Sequence, residues 1–254
     1  MPVSGRLAVI GIGPGPEGWI TPAVSAVLAE ANELFGYGPY LDRLPHPANQ
    51  IHHASDNREE LARAEAALAA AAAGSRVAVV SGGDPGVFAM AAAVCEAVEK
   101  GPATWRRLDL CFEPGVTAML AAAARVGAPL GADFAVISLS DNLKPWSLIE
   151  RRLRLASEAD LVLALYNPAS NARGGSARQA FAVLKECRAG NTPVVLASAV
   201  GRPDERIAVR RLADCDGEGV DMRTLIIAGS SSTRLIERPD KAPLVYTERF
   251  ARSA

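Results

Sequence analysis

The stretch that most restricts how this chain can fold is Val77 to Phe88, VAVVSGGDPGVF. Val77-Ala78-Val79-Val80 is an uninterrupted apolar run rich in β-branched residues, which reads as a strand buried on both faces. It breaks into Ser81-Gly82-Gly83-Asp84-Pro85-Gly86, three glycines and a proline in six residues, and a helix-like run, Val87 to Val94, follows. Strand, glycine turn and helix make a βα corner, the place where open α/β sheets hold their ligands. Gly82 and Gly83 carry no Cβ, so a ligand can lie against bare backbone and use its amides as donors. Asp84 adds a carboxylate suited to an amine, a ribose hydroxyl pair or a cation. The same letters also describe a tight loop in which Asp84 caps the next helix. The stretch alone admits both readings.

Alanine-rich helical tracts alternate with Val/Ile/Leu runs along the whole chain, the α/β pattern. With 254 residues, one large or two medium domains can form. A formal charge of −1 argues against a nucleic-acid footprint or a polybasic membrane anchor. Cys95, Cys111, Cys187 and Cys215 form no C-x-x-C pair and read as buried small hydrophobes of a reducing compartment. Neither a signal segment nor an apolar run long enough to span a bilayer stands out, so a soluble, cytoplasmic protein is expected.

Taken in order, Leu7 to Ile12 is the first strand, closed by Gly11-Ile12-Gly13-Pro14-Gly15. This is not the dinucleotide fingerprint, because Pro14 removes an amide where a pyrophosphate needs one, and no P-loop follows elsewhere. Ile20 to Ala31 is a helix with Thr21 as cap and Pro22 at an early position. Leu34 to His53 reads as a long irregular loop holding His46, His52 and His53, which lack acidic partners at metal-ligand spacing. Glu59 to Ala73 is an alanine-rich helix stopped by Gly74, and Trp105 to Phe112 is a strand leading through Glu113-Pro114-Gly115-Val116-Thr117-Ala118 into a helix ending at Val126. The Gly/Pro break Gly127-Ala128-Pro129-Leu130-Gly131 divides the chain into domains 1–127 and 128–254. Beyond it, strands are expected at Phe134–Leu139, Leu161–Tyr166, Val194–Ala199, Ile207–Leu212 and Thr224–Ala228, with helices at Ser147–Ser157 and up to Cys187. Their close spacing in the last third implies hairpins and a mixed sheet.

Three corners, Gly11-Ile12-Gly13-Pro14-Gly15, Ser81-Gly82-Gly83-Asp84-Pro85 and Pro114-Gly115-Val116-Thr117, resemble those of the tetrapyrrole methylases, in order and spacing, over Leu7 to about Gly229. Gly36-Tyr37-Gly38-Pro39-Tyr40, Ser55 with Asp56-Asn57-Arg58, Leu139 to Trp146 and Tyr166-Asn167-Pro168 are similar to the branch that methylates C17 of the macrocycle, with ring contraction, on the cobalamin pathway. The resemblance implies two α/β domains, parallel in the first and mixed in the second, with an active-site trough between them, and a homodimer. It implies S-adenosylmethionine as methyl donor, a tetrapyrrole substrate and no protein-bound metal. It places Pro14, Gly82, Gly83, Asp84, Val87, Thr117, Ala118, Tyr166, Ala199 and Thr224 around the cofactor, and Tyr37, Tyr40, Arg58, Asn142 and Lys144 at the substrate. Other precorrin or uroporphyrinogen methyltransferases, including enzymes for a cobalt-bearing substrate, remain the alternatives.

The residue types suit that chemistry. A sulfonium methyl is already activated, so positioning it against an electron-rich carbon supplies most of the catalysis. A substrate with several carboxylates asks for arginine and lysine; Arg43, Arg58, Lys144, Arg173 and Arg202 are the candidates. Ring contraction needs a proton acceptor, for which Asp141 and Asp56 are placed in polar turns, although Asp-Asn pairs also close turns through their own backbone.

Overall fold

The computed structural model describes residues 5–169 and 175–250. Its contacts separate two compact units, Met1–Thr117 and Ala118–Ala254. The helix ending at Val126 therefore belongs with the second unit, ahead of the expected break at Gly127–Gly131. It packs on the second unit's strands there, and Gly127–Ala128 is itself a short strand.

In the first unit, β1 (Arg6–Gly11), β2 (Glu33–Tyr37), β3 (Ile51–Ser55), β4 (Arg76–Ser81) and β5 (Asp109–Glu113) form one sheet in the order β3-β2-β4-β1-β5. Every pair is parallel. The chain steps one way from β1 through β2 to β3 and returns through β4 to β5. Right-handed crossovers then put α1 (Pro22–Glu30) and α2 (Gly38–Leu41) on one face and α3 (Glu60–Ala72) and α4 (Met90–Lys100) on the other. The cores agree. Ala8, Ile10, Ala78 and Val80 pack with Val24 and Leu41, whereas Leu7, Val9, Val77 and Val79 pack with Ala64, Leu68 and Val94. Alternate residues of each strand thus face different helices, which is why these strands read as unbroken apolar runs. β1 and β4 are neighbours whose outgoing chains leave for opposite faces, the switch point at which such sheets open a crevice.

Local chemistry sets the helix ends. Thr21 Oγ1 accepts from Val24 N at 3.3 Å, with Pro22 at the start of α1. Gly74 sits at φ +103 while Gly74 N reaches Ala71 O and Ser75 N reaches Ala70 O, the paired bonds that stop a helix at a glycine. The expected irregular loop from Leu34 to His53 is instead strand, helical turn and strand. β3 is an edge strand carrying two histidines, held by its pairing with β2 and by the His53 ring stacked 4.2 Å from Phe35.

The second unit opens with α5 (Ala118–Val126) and β6 (Gly127–Ala128). β7 (Phe134–Ser138), α6 (Trp146–Glu158), β8 (Val162–Tyr166), α7 (Ser176–Cys187), β9 (Pro193–Ser198), β10 (Arg206–Arg211) and β11 (Thr224–Ala228) follow. Their sheet runs β10-β9-β11-β8-β7, parallel at β7–β8 and antiparallel elsewhere. Ile149 and Leu153 of α6 and Phe181 and Leu184 of α7 fill its core, each burial worth roughly 1.5–3 kcal/mol of transfer free energy. A terminal hairpin, β12 (Thr233–Arg238) and β13 (Lys241–Thr247), pairs with β6. All four cysteines are free, but only Cys215 is buried; Cys95 lies exposed on the outer side of α4.

Candidate active site

Because the first sheet is parallel, the turns after β1, β2, β3, β4 and β5 share its carboxyl edge. At the switch point the backbones of three of these turns nearly touch. A Cβ built on Gly11 would lie 2.4 Å from Gly83 O, and one on Gly115 would lie 2.3 Å from Gly83 O and 2.6 Å from Gly11 O. No side chain fits there, so these glycines are needed for close packing of the three turns. Ile12 N donates to Ser81 O, extending the parallel β1–β4 ladder, and Gly13 N donates to Gly83 O in an isolated antiparallel bridge between the two turns. Gly83 itself has φ +74, and the space its Cβ would take meets only Thr117 Cα at 3.8 Å and Val116 O at 3.9 Å. The cradle expected of Gly83 is open. At Gly82 the space is filled, because a Cβ there would lie 2.6 Å from Tyr40 Cζ.

Asp84 does not cap the following helix. Its Oδ1 accepts from Gly86 N at 2.8 Å and its Oδ2 from Gly115 N at 3.1 Å, so the carboxylate joins the β4 turn to the β5 turn. The helix begins later, at Met90, whose N–H reaches Ser81 Oγ. Between them Phe88 is exposed with φ +53, a conformation that costs a bulky side chain on the order of 1–2 kcal/mol. Val87 and Pro14 are half-buried and Thr117 is buried, all on this edge.

The end of β2 and the turn after it carry Tyr37, Tyr40 and Arg43. The two tyrosine rings meet edge to face at 5.3 Å. The Arg43 guanidinium donates to Gly13 O at 3.0 Å, Ile12 O at 3.2 Å and Gly15 O at 2.7 Å, so the arginine expected to meet substrate carboxylates grips the β1 turn. After β3, Asp56, Asn57 and Arg58 are exposed, and Asp56 Oδ1 takes its neighbour's Asn57 N–H at 2.6 Å. Asp56 therefore closes a turn, without the burial expected of a proton acceptor. Sequence reading overlooked Arg63, which is only 5% exposed. It donates to Ser55 Oγ, Asp56 O and Met90 Sδ, and burial pulls its guanidinium below its ordinary value. The signal was there: Arg63, Ala67 and Ala71 form one stripe at four-residue spacing on α3.

The second unit gathers its own set. Ser138 pairs with Tyr166 at the ends of β7 and β8, and Thr224 pairs with Ser198 where β11 begins and β9 ends. Tyr166, Ala199, Thr224 and the turn from Ser140 to Pro145 thus occupy one end of the second sheet. Side chains tie this end together. Ser138 Oγ accepts from Asn167 Nδ2 and from Ser140 N, joining two of the branch-like motifs. The Tyr166 hydroxyl accepts from Met119 N at 3.0 Å, at the start of α5 beside Ala118. Thr224 Oγ1 donates to Asp221 Oδ1 at 2.8 Å. Burial pushes the Asp221 carboxyl up, but Thr224 and the N–H and guanidinium of Arg223 bring it below its usual range. Asn167 and Ala199 take positive φ, +54 and +51, and strained backbone of this kind clusters at functional sites. Asp141 is half-buried and Asn142 exposed. Lys144 is half-buried, its ammonium pulled down by burial and by Arg152. Arg202 is half-buried; Arg173 lies outside the described residues. Among the described residues no three His, Cys, Asp or Glu side chains converge as metal ligands, and no helix is long and apolar enough to cross a membrane.

Residues 6–216 match the family model described as Tetrapyrrole (Corrin/Porphyrin) Methylases. The chain is 57% identical over 248 residues to a Sinorhizobium sp. protein named precorrin-3B C(17)-methyltransferase, covering 98% of each. It is 39% identical over 245 residues to a Salmonella typhimurium protein named probable cobalt-factor III C(17)-methyltransferase, covering 95% of this chain and 99% of the relative. The crystal structure of the methyltransferase CobJ superposes with a TM-score of 0.92 at 46% identity, over 96% of this chain and 100% of that one.

Proposed function

The chain belongs to the tetrapyrrole methylases, and from that premise we propose that it transfers a methyl group from S-adenosylmethionine to C17 of precorrin-3B, with ring contraction, in cobalamin biosynthesis. The observation that carries this reading is the agreement, along nearly the whole of both chains, with a relative named for that reaction. The open side of Gly83 at the switch point supports it independently, because a ligand can reach backbone there.

When bound, the cofactor supplies an electrophilic sulfonium methyl. The chain's part is to hold and orient. In the first unit Pro14, Gly83, Val87 and Thr117 would line the cofactor, with Gly82 and Asp84 shaping the turn that presents them. In the second unit Ala118, Tyr166, Ala199 and Thr224 are the cofactor contacts that the resemblance assigns; hydrogen bonds tie Tyr166 to Met119 N, Ala199 N to Arg223 O and Thr224 to Asp221. Arg58, Asn142 and Lys144 are free of the clamping role that occupies Arg43, and are assigned to the macrocycle's carboxylates, with Tyr37 against its face. Asp141 is assigned as the proton acceptor for contraction, ahead of the exposed Asp56. The reading includes a homodimer in the cytoplasm and no protein-bound metal; light scattering of the purified chain tests the dimer.

The decisive experiment is mass spectrometry of the macrocycle after incubation with precorrin-3B and methyl-labelled cofactor. One labelled methyl and a contracted ring are expected. The Salmonella relative's name motivates a second arm with a cobalt-bearing substrate; turnover there alone would move the assignment to that branch. Asp141→Asn should retain affinity for the demethylated cofactor while slowing turnover about a hundredfold, the range for loss of a general base. Normal turnover in single-turnover assays would leave Asp141 a turn residue.

A further inference from the structure

The segment Gly38–Arg43 does something that neither the family resemblance nor the proposed reaction assigns. It is the helical turn Gly38–Leu41 plus two residues: Asp42 N donates to Gly38 O at 3.0 Å and Arg43 N to Tyr40 O at 3.2 Å, so Tyr40 and Arg43 leave it three residues apart, on the same side. They reach different turns. The Tyr40 ring fills the space beside Gly82 in the β4 turn, where a Cβ would stand 2.6 Å from Cζ, 2.8 Å from Cε1 and 3.0 Å from the hydroxyl. Arg43 spans three carbonyls of the β1 turn, Ile12, Gly13 and Gly15. These are the two turns on either side of the switch point.

We propose that this segment is a positioning strap: Tyr40 and Arg43 hold the β4 and β1 glycine turns in the conformation that receives the cofactor, and Gly82 lacks a side chain to admit Tyr40, not the ligand.

The chemistry of each contact fits the role. Three carbonyl dipoles aimed at one guanidinium fix the β1 turn from outside, while its Ile12 and Gly13 amides are bonded to the end of β4 and to the β4 turn. A guanidinium offers five N–H donors in a rigid plane and can meet all three oxygens; a lysine ammonium is a compact point charge that cannot hold that spread. Tyr40 is braced in turn by its edge-to-face contact with Tyr37 and by the apolar cluster around Val24 and Leu41. A Cβ at Gly82 would have to displace a braced ring, and the β4 turn would shift with it. Gly83 differs, because its Cβ space is open. Two adjacent glycines therefore serve different neighbours.

The inference rests on the methyltransferase reading, and one set of titrations separates the two. The full-length chain and four variants, Gly82→Ala, Tyr40→Leu, Gly82→Ala/Tyr40→Leu and Arg43→Lys, are titrated calorimetrically with S-adenosylhomocysteine, each after its unfolding midpoint has been recorded. Gly82→Ala should weaken binding about tenfold or more and Tyr40→Leu by only a few fold. The double variant should sit at the level of Tyr40→Leu alone, because the smaller side chain makes room for the new methyl; such non-additivity is the mark of direct contact. Arg43→Lys, which keeps the charge, should weaken the same ligand about tenfold while leaving KM for the tetrapyrrole unchanged. If the single effects simply add, Gly82 faces the ligand and the strap is overturned. Unchanged affinity in a folded Arg43→Lys chain overturns it as well. Absence of binding by the unaltered chain would instead overturn the methyltransferase reading, and the strap with it.

Discussion

At the carboxyl edge of the first sheet Gly11, Gly83 and Gly115 meet backbone to backbone, whereas the end of the second sheet is joined by side chains, Ser138 to Asn167, Tyr166 to Met119 and Thr224 to Asp221. The two constructions fail differently. A junction of bare backbone has no slack, since a single added methyl overlaps main-chain atoms that no rotamer change can move. A junction of hydrogen bonds loses its bonds one at a time, each worth about 1 kcal/mol net. The glycine contacts of the first unit should therefore be all-or-none under substitution, and the side-chain ties, Asp84 in the first unit and those of the second, graded.

The largest effect should come from Gly115→Ala, whose Cβ would overlap Gly83 O and Gly11 O. About 3 kcal/mol of destabilisation is expected from forced overpacking of backbone, read as a lower urea midpoint. An unchanged midpoint would mean the three turns can separate freely. Asp84→Ala comes next, because it strips acceptors from Gly86 N and Gly115 N; about 2 kcal/mol is expected for a carboxylate with two backbone donors. Asp84→Asn, which keeps one oxygen, should lose about half of that. If both variants match the unaltered chain, the carboxylate does not tie the two turns.

Tyr166→Phe removes the acceptor for Met119 N and should cost about 1 kcal/mol, the graded loss of a single bond. A loss as large as that from Gly115→Ala would erase the contrast between the two edges. The smallest effect belongs to Asp221→Asn. Asp221's side chain is 42% exposed, so solvent screening limits the loss to about 0.5 kcal/mol at neutral pH. The folded carboxyl lies below its ordinary value of 3.8, so its contribution is present above pH 3.8 and is lost as pH falls through the folded value. The gap between variant and unaltered chain should close only below that point; a gap that closes between pH 5 and 7 would assign it to another group.

Much of the first unit was legible because its strands are buried twice over. β1 and β4 stand out as apolar runs, and α1 and α3 carry their caps, Thr21 and Gly74, in plain view. β2 and β3 were not legible. Glu33–Tyr37 contains a glycine and Ile51–Ser55 two histidines, so neither has strand-like composition; parallel pairing to neighbours distant in the chain holds them. The hairpin of β12 and β13 was missed for a related reason, since Leu235 and Ile236 are exposed and no two-sided apolar run marks it.

The three glycine corners were readable because their chemistry lies within a few consecutive residues: a strand ends, the backbone must turn, and only glycine and proline permit the turn. The same holds for the switch from a parallel to a mixed sheet, which follows from strand spacing. What the letters could not decide is which neighbour each corner serves. Gly82 and Gly83 are identical in sequence terms, yet one packs on Tyr40 and the other stays open, and Arg43, an obvious anion ligand, instead binds carbonyls thirty residues back along the chain. Those choices depend on contacts across the carboxyl edge between turns that only sheet order brings together. Pairing of strands far apart in sequence, β1 with β4 and β5, is what places them side by side.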